Sequence, residues 1–142
     1  MKKTFGIGRL LLFFAMFALT VFAAACGKGK EEYEKTGEVD FTVVEEADVP
    51  KELLEVIKEK KDEACKLTYL AEDGLYLVRG YGEQPSGGYS IAVDDLYLSG
   101  TDLCIKTTLI GPAADEKVTT AATHPFIVLK LQPMETEVHF LN

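Results

Sequence analysis

A glycine-rich stretch between two strand-like runs places the strongest constraint on how this 142-residue chain folds. Residues 80–88 contain four glycines and one proline, and they lie between the apolar runs Leu75–Tyr81 and Tyr89–Val93. Proline pre-sets φ for a turn, and glycine adopts positive φ at little steric cost. The pattern therefore predicts a tight, exposed loop that two strands support.

The rest of the chain has the pattern of a small, mainly β domain. About seven strand-like runs are separated by turn signals at intervals of roughly 8–12 residues, which favours a sandwich or an open barrel. One amphipathic helix is predicted at 50–61, with apolar residues on one face. A single helical pattern disfavours a parallel βαβ architecture. We expect one domain over residues 39–142.

The first 25 residues have the pattern of a secretory signal peptide, with a basic start and an apolar run over Leu10–Ala25. Three small residues then precede Cys26, which resembles a bacterial lipobox, although Ala23 stands where leucine is more common. The pattern predicts cleavage before Cys26, lipidation of its thiol and anchoring at the extracytoplasmic face of the cell membrane. The alternatives are an ordinary signal peptide and an uncleaved anchor.

A polar segment follows the cysteine, and residues 26–38 are predicted to be a lipidated, flexible tether. Loss of the signal peptide removes three basic residues, which leaves 12 basic against 23 acidic residues and a net charge of −11. An acidic domain is a poor ligand for nucleic acid or for an anionic lipid surface. The lipid, and not charge, would therefore hold the protein at the membrane.

Two cysteines remain in the predicted domain. In an exported protein, Cys65 and Cys104 would either form one disulfide or stay as two buried free thiols. Together with His124 and His139, they do not have the spacing of a compact zinc-ligand set. We therefore predict no metal and no cofactor.

Catalytic groups are also missing from the pattern. The chain has only two histidines, and no serine lies in a sequence that resembles a nucleophile elbow. Asp94 and Asp95 are adjacent, so a regular strand would direct them to opposite faces. No Gly-Lys-Ser/Thr sequence follows the glycines to make a phosphate loop. The sequence predicts a binding or scaffolding module and not an enzyme.

Two segments, Gly80–Val93 and His124–Lys130, resemble the PrcB family of bacterial lipoproteins. The resemblance covers roughly residues 39–140 and is most specific at Gly-Gly-Tyr-Ser-Ile, while Ser86 and Phe126 replace the threonine and tyrosine that are frequent in the family. The namesake is a lipoprotein subunit associated with a surface subtilisin-like protease, whose complex it helps to assemble or stabilise. The resemblance implies an accessory protein whose partner is an exported protease or another envelope protein.

A second likeness gives an alternative function. Chagasin-type protease inhibitors present an Asn-Pro-Thr-Thr-Gly loop and an Arg-Pro-aromatic loop, and residues 84–88 and 124–126 occupy similar places in chain order without the asparagine and the arginine. A third alternative is a module that binds an envelope polymer, although the chain has no tryptophan.

All three alternatives use the same loops. The residues predicted to contact the partner are Gln84, Pro85, Ser86, Gly87, Gly88, Tyr89, His124, Pro125 and Phe126. On one interpretation, the backbone N–H groups of Gly87 and Gly88 are available for pairing with a strand of the partner. The interpretation that we favour for the glycines is that they only allow the hairpin to turn, with Tyr89 packed in the core.

Overall fold

The computed structural model describes residues 32–142, which form two four-stranded sheets and one α-helix. The strands are β1 (Gly37–Glu38), β2 (Thr42–Val43), β3 (Ala64–Ala71), β4 (Gly74–Tyr81), β5 (Ser90–Ser99), β6 (Asp102–Ile110), β7 (Phe126–Leu131) and β8 (Val138–Leu141). A 3-10 turn at Glu46–Asp48 precedes the helix α1 (Lys51–Lys60). The predicted mainly β class and the single helix are confirmed.

The predicted signal peptide and Cys26 lie outside the described residues. No helix in the described part of the chain is long and apolar enough to span a membrane.

The structure has eight strands where about seven were predicted, and the additional strand is β1, which is two residues long. An element this short has no periodicity, so it could not be recognised from the sequence.

The first sheet has the strand order β1-β5-β6-β8, and the second has the order β2-β7-β4-β3. All neighbouring strands are antiparallel except β6 and β8, which run parallel. A tight turn at Glu72-Asp73 joins β3 to β4, whose end residues Ala71 and Gly74 are paired. The register of β5 against β6 shifts between Val93 and Asp95, so the pairing is irregular at the two adjacent aspartates.

The main core lies between the two sheets. Strands β4 and β7 direct leucines toward the first sheet, and β5 and β6 direct apolar residues back toward them. The buried members of this cluster are Leu75, Leu77, Leu96, Leu103, Ile105, Leu129 and Leu131. Alternate residues of each strand thus face this core, as a pleated sheet requires.

The helix covers the outer face of the second sheet. Val49, Leu53 and Ile57 pack against Tyr76 and Val78 of β4 and against β7. Strand β4 is consequently buried on both faces, which explains why its sequence is a continuous apolar run without alternation. The domain therefore has three layers, in the order helix, second sheet, first sheet.

The connections between the sheets define two ends of the domain. Strands β4 and β6 end, and β5 and β7 begin, at one end, which we call the loop end. Its two connections are residues 82–89 and 111–125. At the opposite end, the N–H of Thr36 donates to the carbonyl of Leu98 (2.7 Å), and its hydroxyl accepts from the N–H of Gly100 (2.8 Å). The segment that leads into β1 thus contacts the domain at the end opposite the two loops.

The residues before β1 also pack on the first sheet. The hydroxyl of Tyr97 donates to the carbonyl of Tyr33 (2.9 Å), and the Tyr33 ring stacks on His139 with centroids 4.3 Å apart. The compact unit starts at Tyr33. The last six residues of the predicted tether 26–38 therefore contribute to the folded unit. The sequence contains no signal for these contacts, because the segment is polar and the contacts are made by backbone groups and single side chains.

We predict that Ile57→Ala lowers the free energy of unfolding by about 2–4 kcal/mol, because the side chain is 1 % exposed and its loss leaves a cavity against the second sheet. The neighbouring Val56→Ala is the control, since Val56 is 36 % exposed, and we expect a change below about 1 kcal/mol. Urea unfolding measures both values. Equal effects would contradict the assignment of α1 as a packed layer.

Candidate interaction site at the loop end

The glycine-rich loop is held in place by the connection between β6 and β7. The backbones of Gln84 and Thr123 exchange two hydrogen bonds, of 2.8 and 3.0 Å. The hydroxyl of Thr123 donates to the carbonyl of Ser86 (2.7 Å), and the N–H of Gly87 donates to the carbonyl of Thr119 (3.0 Å). Residues 82–89 are therefore fixed along one side by residues 119–123.

The two glycines allow this close approach. A Cβ atom on Gly87 would lie 2.7 Å from the hydroxyl of Thr119, and one on Gly88 would lie 2.5 Å from Cγ1 of Val118. Gly88 also has φ of +85°, a conformation that other residues rarely adopt. The turn interpretation thus explains part of the pattern, and close packing of the loops explains the rest.

The strand-pairing interpretation does not hold for Gly87. The N–H of Gly87 donates to the chain's own Thr119, so it is not available for pairing with a strand of a partner. The sequence could not reveal this contact, because it joins residues 32 positions apart. The uncharged run 118–123 is the available signal in the sequence.

The exposed part of these loops forms one surface, which we call the loop-end surface: residues 84–89 together with residues 119–123. Pro85 and Gly88 are exposed, and so are the four residues 119–122, whereas Gln84, Ser86, Gly87 and Thr123 are half-buried. Tyr89 is also half-buried, with its ring against Gly111. The surface thus offers small, uncharged side chains and backbone groups.

The loop-end surface contains no charged side chain, although Glu83 and residues 115–117 of the same two connections are charged. Residues 84–93, 107–114 and 118–129 contain no Asp, Glu, Lys or Arg, although the chain has 23 acidic and 15 basic residues. The central part of a protein–protein interface is depleted in charged residues, because a charge that loses its water without a partner is costly. The loop-end surface can therefore be desolvated at low cost.

The predicted residues 124–126 belong to a different surface. Phe126 packs in the cluster under α1, and the carbonyl of Pro125 accepts from the N–H of Tyr81 (3.1 Å). Nε2 of His124 lies 2.9 Å from Oδ1 of Asp62 but makes no aligned hydrogen bond. These three residues border a depression of about 320 Å³ on the helix side of β7. The structure thus divides the nine predicted residues between two surfaces.

The two cysteines are free thiols in different sheets. Cys65 is half-buried on β3, and Cys104 is buried on β6. Of the two alternatives, the structure has the free thiols and not the disulfide. Burial raises the pKa of the Cys104 thiol; the carboxylate of Asp102 acts in the same direction, and a hydrogen bond with Tyr97 acts in the opposite one.

The four residues weighed as zinc ligands do not form a site. Within residues 32–142, the one group with metal-ligand geometry consists of Asp102, Glu137 and His139, whose ligand atoms lie within 4.8 Å of one another. Nε2 of His139 is 3.0 Å from Oδ2 of Asp102, so this pair is already satisfied as a hydrogen bond. We assign no ligand to it.

We predict that Gly88→Ala destabilises the protein more than Gly100→Ala. Both glycines have positive φ, which costs an alanine roughly 1–2 kcal/mol. Only Gly88 would also place its Cβ against Val118 and Pro112, whereas nothing lies within 4 Å of the Cβ position of Gly100. The difference between the two free energies of unfolding therefore isolates the contact between the loops. Equal values would show that the loops do not pack as described.

The cysteine assignment predicts a thiol count. In a Cys26→Ser protein without reductant, Ellman's reagent should titrate Cys65 in the folded state and both thiols in denaturant, because the thiolate of Cys104 is disfavoured by burial. Cys104→Ser in the same background is the control, with one reactive thiol in both conditions. Absence of reactive thiols in denaturant would mean that a disulfide had formed.

Comparison with known proteins finds one family match, and it covers this region. No curated protein and no solved structure matches the chain. Residues 75–132 match the family model of the PrcB C-terminal domain. The matched segment runs from the first residues of β4 to the end of β7, and it contains both loops of the loop end. The resemblance stated from the sequence is thereby confirmed over residues 75–132, the segment that is similar to the PrcB C-terminal family.

Proposed function

We propose that this protein is a membrane-anchored, extracytoplasmic accessory protein whose β domain binds a partner protein through the loop-end surface. The partner class we propose is an exported protease, whose complex the protein assembles or stabilises. The observation that carries the proposal is the uncharged, exposed loop-end surface inside the segment that matches the PrcB C-terminal family. The family likeness supports the accessory role.

The rigidity of the loops supports binding. Four backbone and side-chain hydrogen bonds connect residues 84–87 with residues 119–123. Gln84 adds a hydrogen bond of 3.1 Å from its amide nitrogen to the carbonyl of Tyr81. A loop that is already ordered loses little conformational entropy on association, so more of the contact energy contributes to affinity.

The position of the chain's first described residues supports the orientation at a membrane. Thr36 joins the domain beside Leu98 and Gly100, opposite the loop end. If Cys26 carries lipid as proposed, the loop-end surface is directed away from the bilayer. An anchor of two or three acyl chains on one cysteine would then retain the protein firmly.

The inhibitor alternative has less support from the geometry. Its second loop would have to present an aromatic residue beside the glycine-rich loop, and Phe126 instead packs under α1. The polymer-binding alternative would need an exposed aromatic face for a sugar ring. Each of the six tyrosines is half-buried or buried, and Phe41, which is 40 % exposed, lies away from the loop-end surface. We therefore rank both below partner assembly.

The test is affinity capture of the full-length protein from detergent-solubilised membranes. With the wild type, we expect to recover an exported protease or its complex. With Ala122→Glu, the recovered amount of that protein should be about tenfold lower, because the new charge must be desolvated at the interface. A tenfold change corresponds to roughly 1.4 kcal/mol. Ala47→Glu is the matched control at an exposed residue of the 3-10 turn, where capture should not change.

Capture of no protein under several solubilisation conditions would contradict the proposal, and so would equal capture by Ala122→Glu. The recovered protease also separates assembly from inhibition. An accessory subunit leaves its protease active or more stable in the complex. Stoichiometric loss of activity on adding purified domain would favour the inhibitor alternative.

A further inference from the structure

The outer strand β3 is the longest edge of the two sheets. It has eight residues and pairs with β4 on one side, and none of the described strands lies on its other side. The remaining outer strands are β1 and β2, with two residues each, and β8, with four. An unpaired edge presents a row of backbone N–H and C=O groups that can pair with another chain.

Most features that normally prevent edge pairing are absent from β3. The strand has no proline, and it pairs with β4 without a register shift, so no bulge twists it away. Lys66 is its only charged residue. On the face toward the first sheet, Leu70 is 47 % exposed. An added strand would bury this side chain, which favours pairing at that position.

The first half of β3 borders an open depression of about 530 Å³ beside the end of α1. Three acidic residues, Glu59, Asp62 and Glu63, line it together with the basic residues Lys60 and Lys66. The excess of negative charge favours a basic side chain from any strand that lies along this edge. The edge thus has an acidic part near the loop end and an apolar part farther along.

We propose that β3 is a docking edge for an extended segment of the partner, which adds to the second sheet as a fifth strand. Its Lys or Arg side chain enters the depression, and an apolar residue lies beside Leu70. This inference rests on the proposed function, because β3 begins at the loop end. There, the N–H of Glu83, the residue before the loop-end surface, donates to the carbonyl of Asp62, two residues before β3 (3.3 Å).

A second copy of the chain is a less suitable occupant. Symmetric antiparallel pairing of β3 with its own copy would direct the two loop ends in opposite directions. Two copies tethered to one membrane could not then both present their loop ends outward. Two acidic domains would also bring like charges together, which opposes pairing.

The test places a photo-crosslinking residue, p-benzoylphenylalanine, at one of three exposed positions of the full-length protein in its native membrane. The positions are Leu70 on the edge, Ala122 on the loop-end surface and Phe41 as a control. We expect crosslinks to one and the same protein from 70 and 122, and none from 41. The peptide crosslinked at 70 should contain Lys or Arg within an uninterrupted strand-like segment.

The crosslinking pattern distinguishes the docking edge from the loop-end contact. Crosslinking at 122 alone overturns the docking edge and leaves the proposed function in place. Crosslinking to a protein at 70 alone supports the edge and overturns the loop-end contact. A product of twice the chain's mass at 70 identifies a second copy and overturns the proposal. Absence of crosslinks at both positions overturns the edge and the proposed function together.

Charge reversal tests the chemistry of the occupant. Glu59→Lys combined with Glu63→Lys should lower the crosslinking yield at residue 70 by about fivefold, because the basic side chain would meet like charge. Glu45→Lys combined with Glu135→Lys makes the same change in net charge at two exposed residues away from the edge. Equal yields from the two double variants would overturn the assignment of a basic side chain.

Discussion

The burial of β4 on both faces is the interaction on which the rest of this structure depends. Leu75 and Leu77 face the first sheet, while Tyr76 and Val78 face α1, and each of the four is at most 4 % exposed. Because apolar burial is the main favourable contribution to folding, this strand fixes the three layers together. It also fixes the loop end, since β4 leads directly into the glycine-rich loop.

The loop end extends that rigid arrangement into solvent. The segments 82–89 and 111–125 begin and end on strands of the core, and their own hydrogen bonds connect them between Gln84 and Thr123. The glycines are needed there because side chains would separate the loops. The result is a pre-ordered, uncharged surface on an otherwise acidic domain, which is the physical basis of the proposed binding role.

Features with a local origin could be predicted from the sequence. The amphipathic helix, the Asp-Gly hairpin and the alternation of Cys65, Leu67 and Tyr69 each have a short-range signal, and all three are present. Contacts between distant residues had no such signal. The Gly87–Thr119 hydrogen bond and the packing of Phe126 under α1 depend on how the sheets and the helix pack together. The predicted residues 84–89 and 124–126 therefore lie on different surfaces and not in one site.

The most direct test of the central claim is amide hydrogen exchange at the loop end of the isolated protein. The backbone N–H groups of Gln84, Gly87 and Thr123 all donate within the chain. If the surface is ordered before binding, these amides should exchange at least about 100-fold more slowly than in an unstructured peptide. Exchange at the unprotected rate would mean that the loops are not held together, and it would contradict the account.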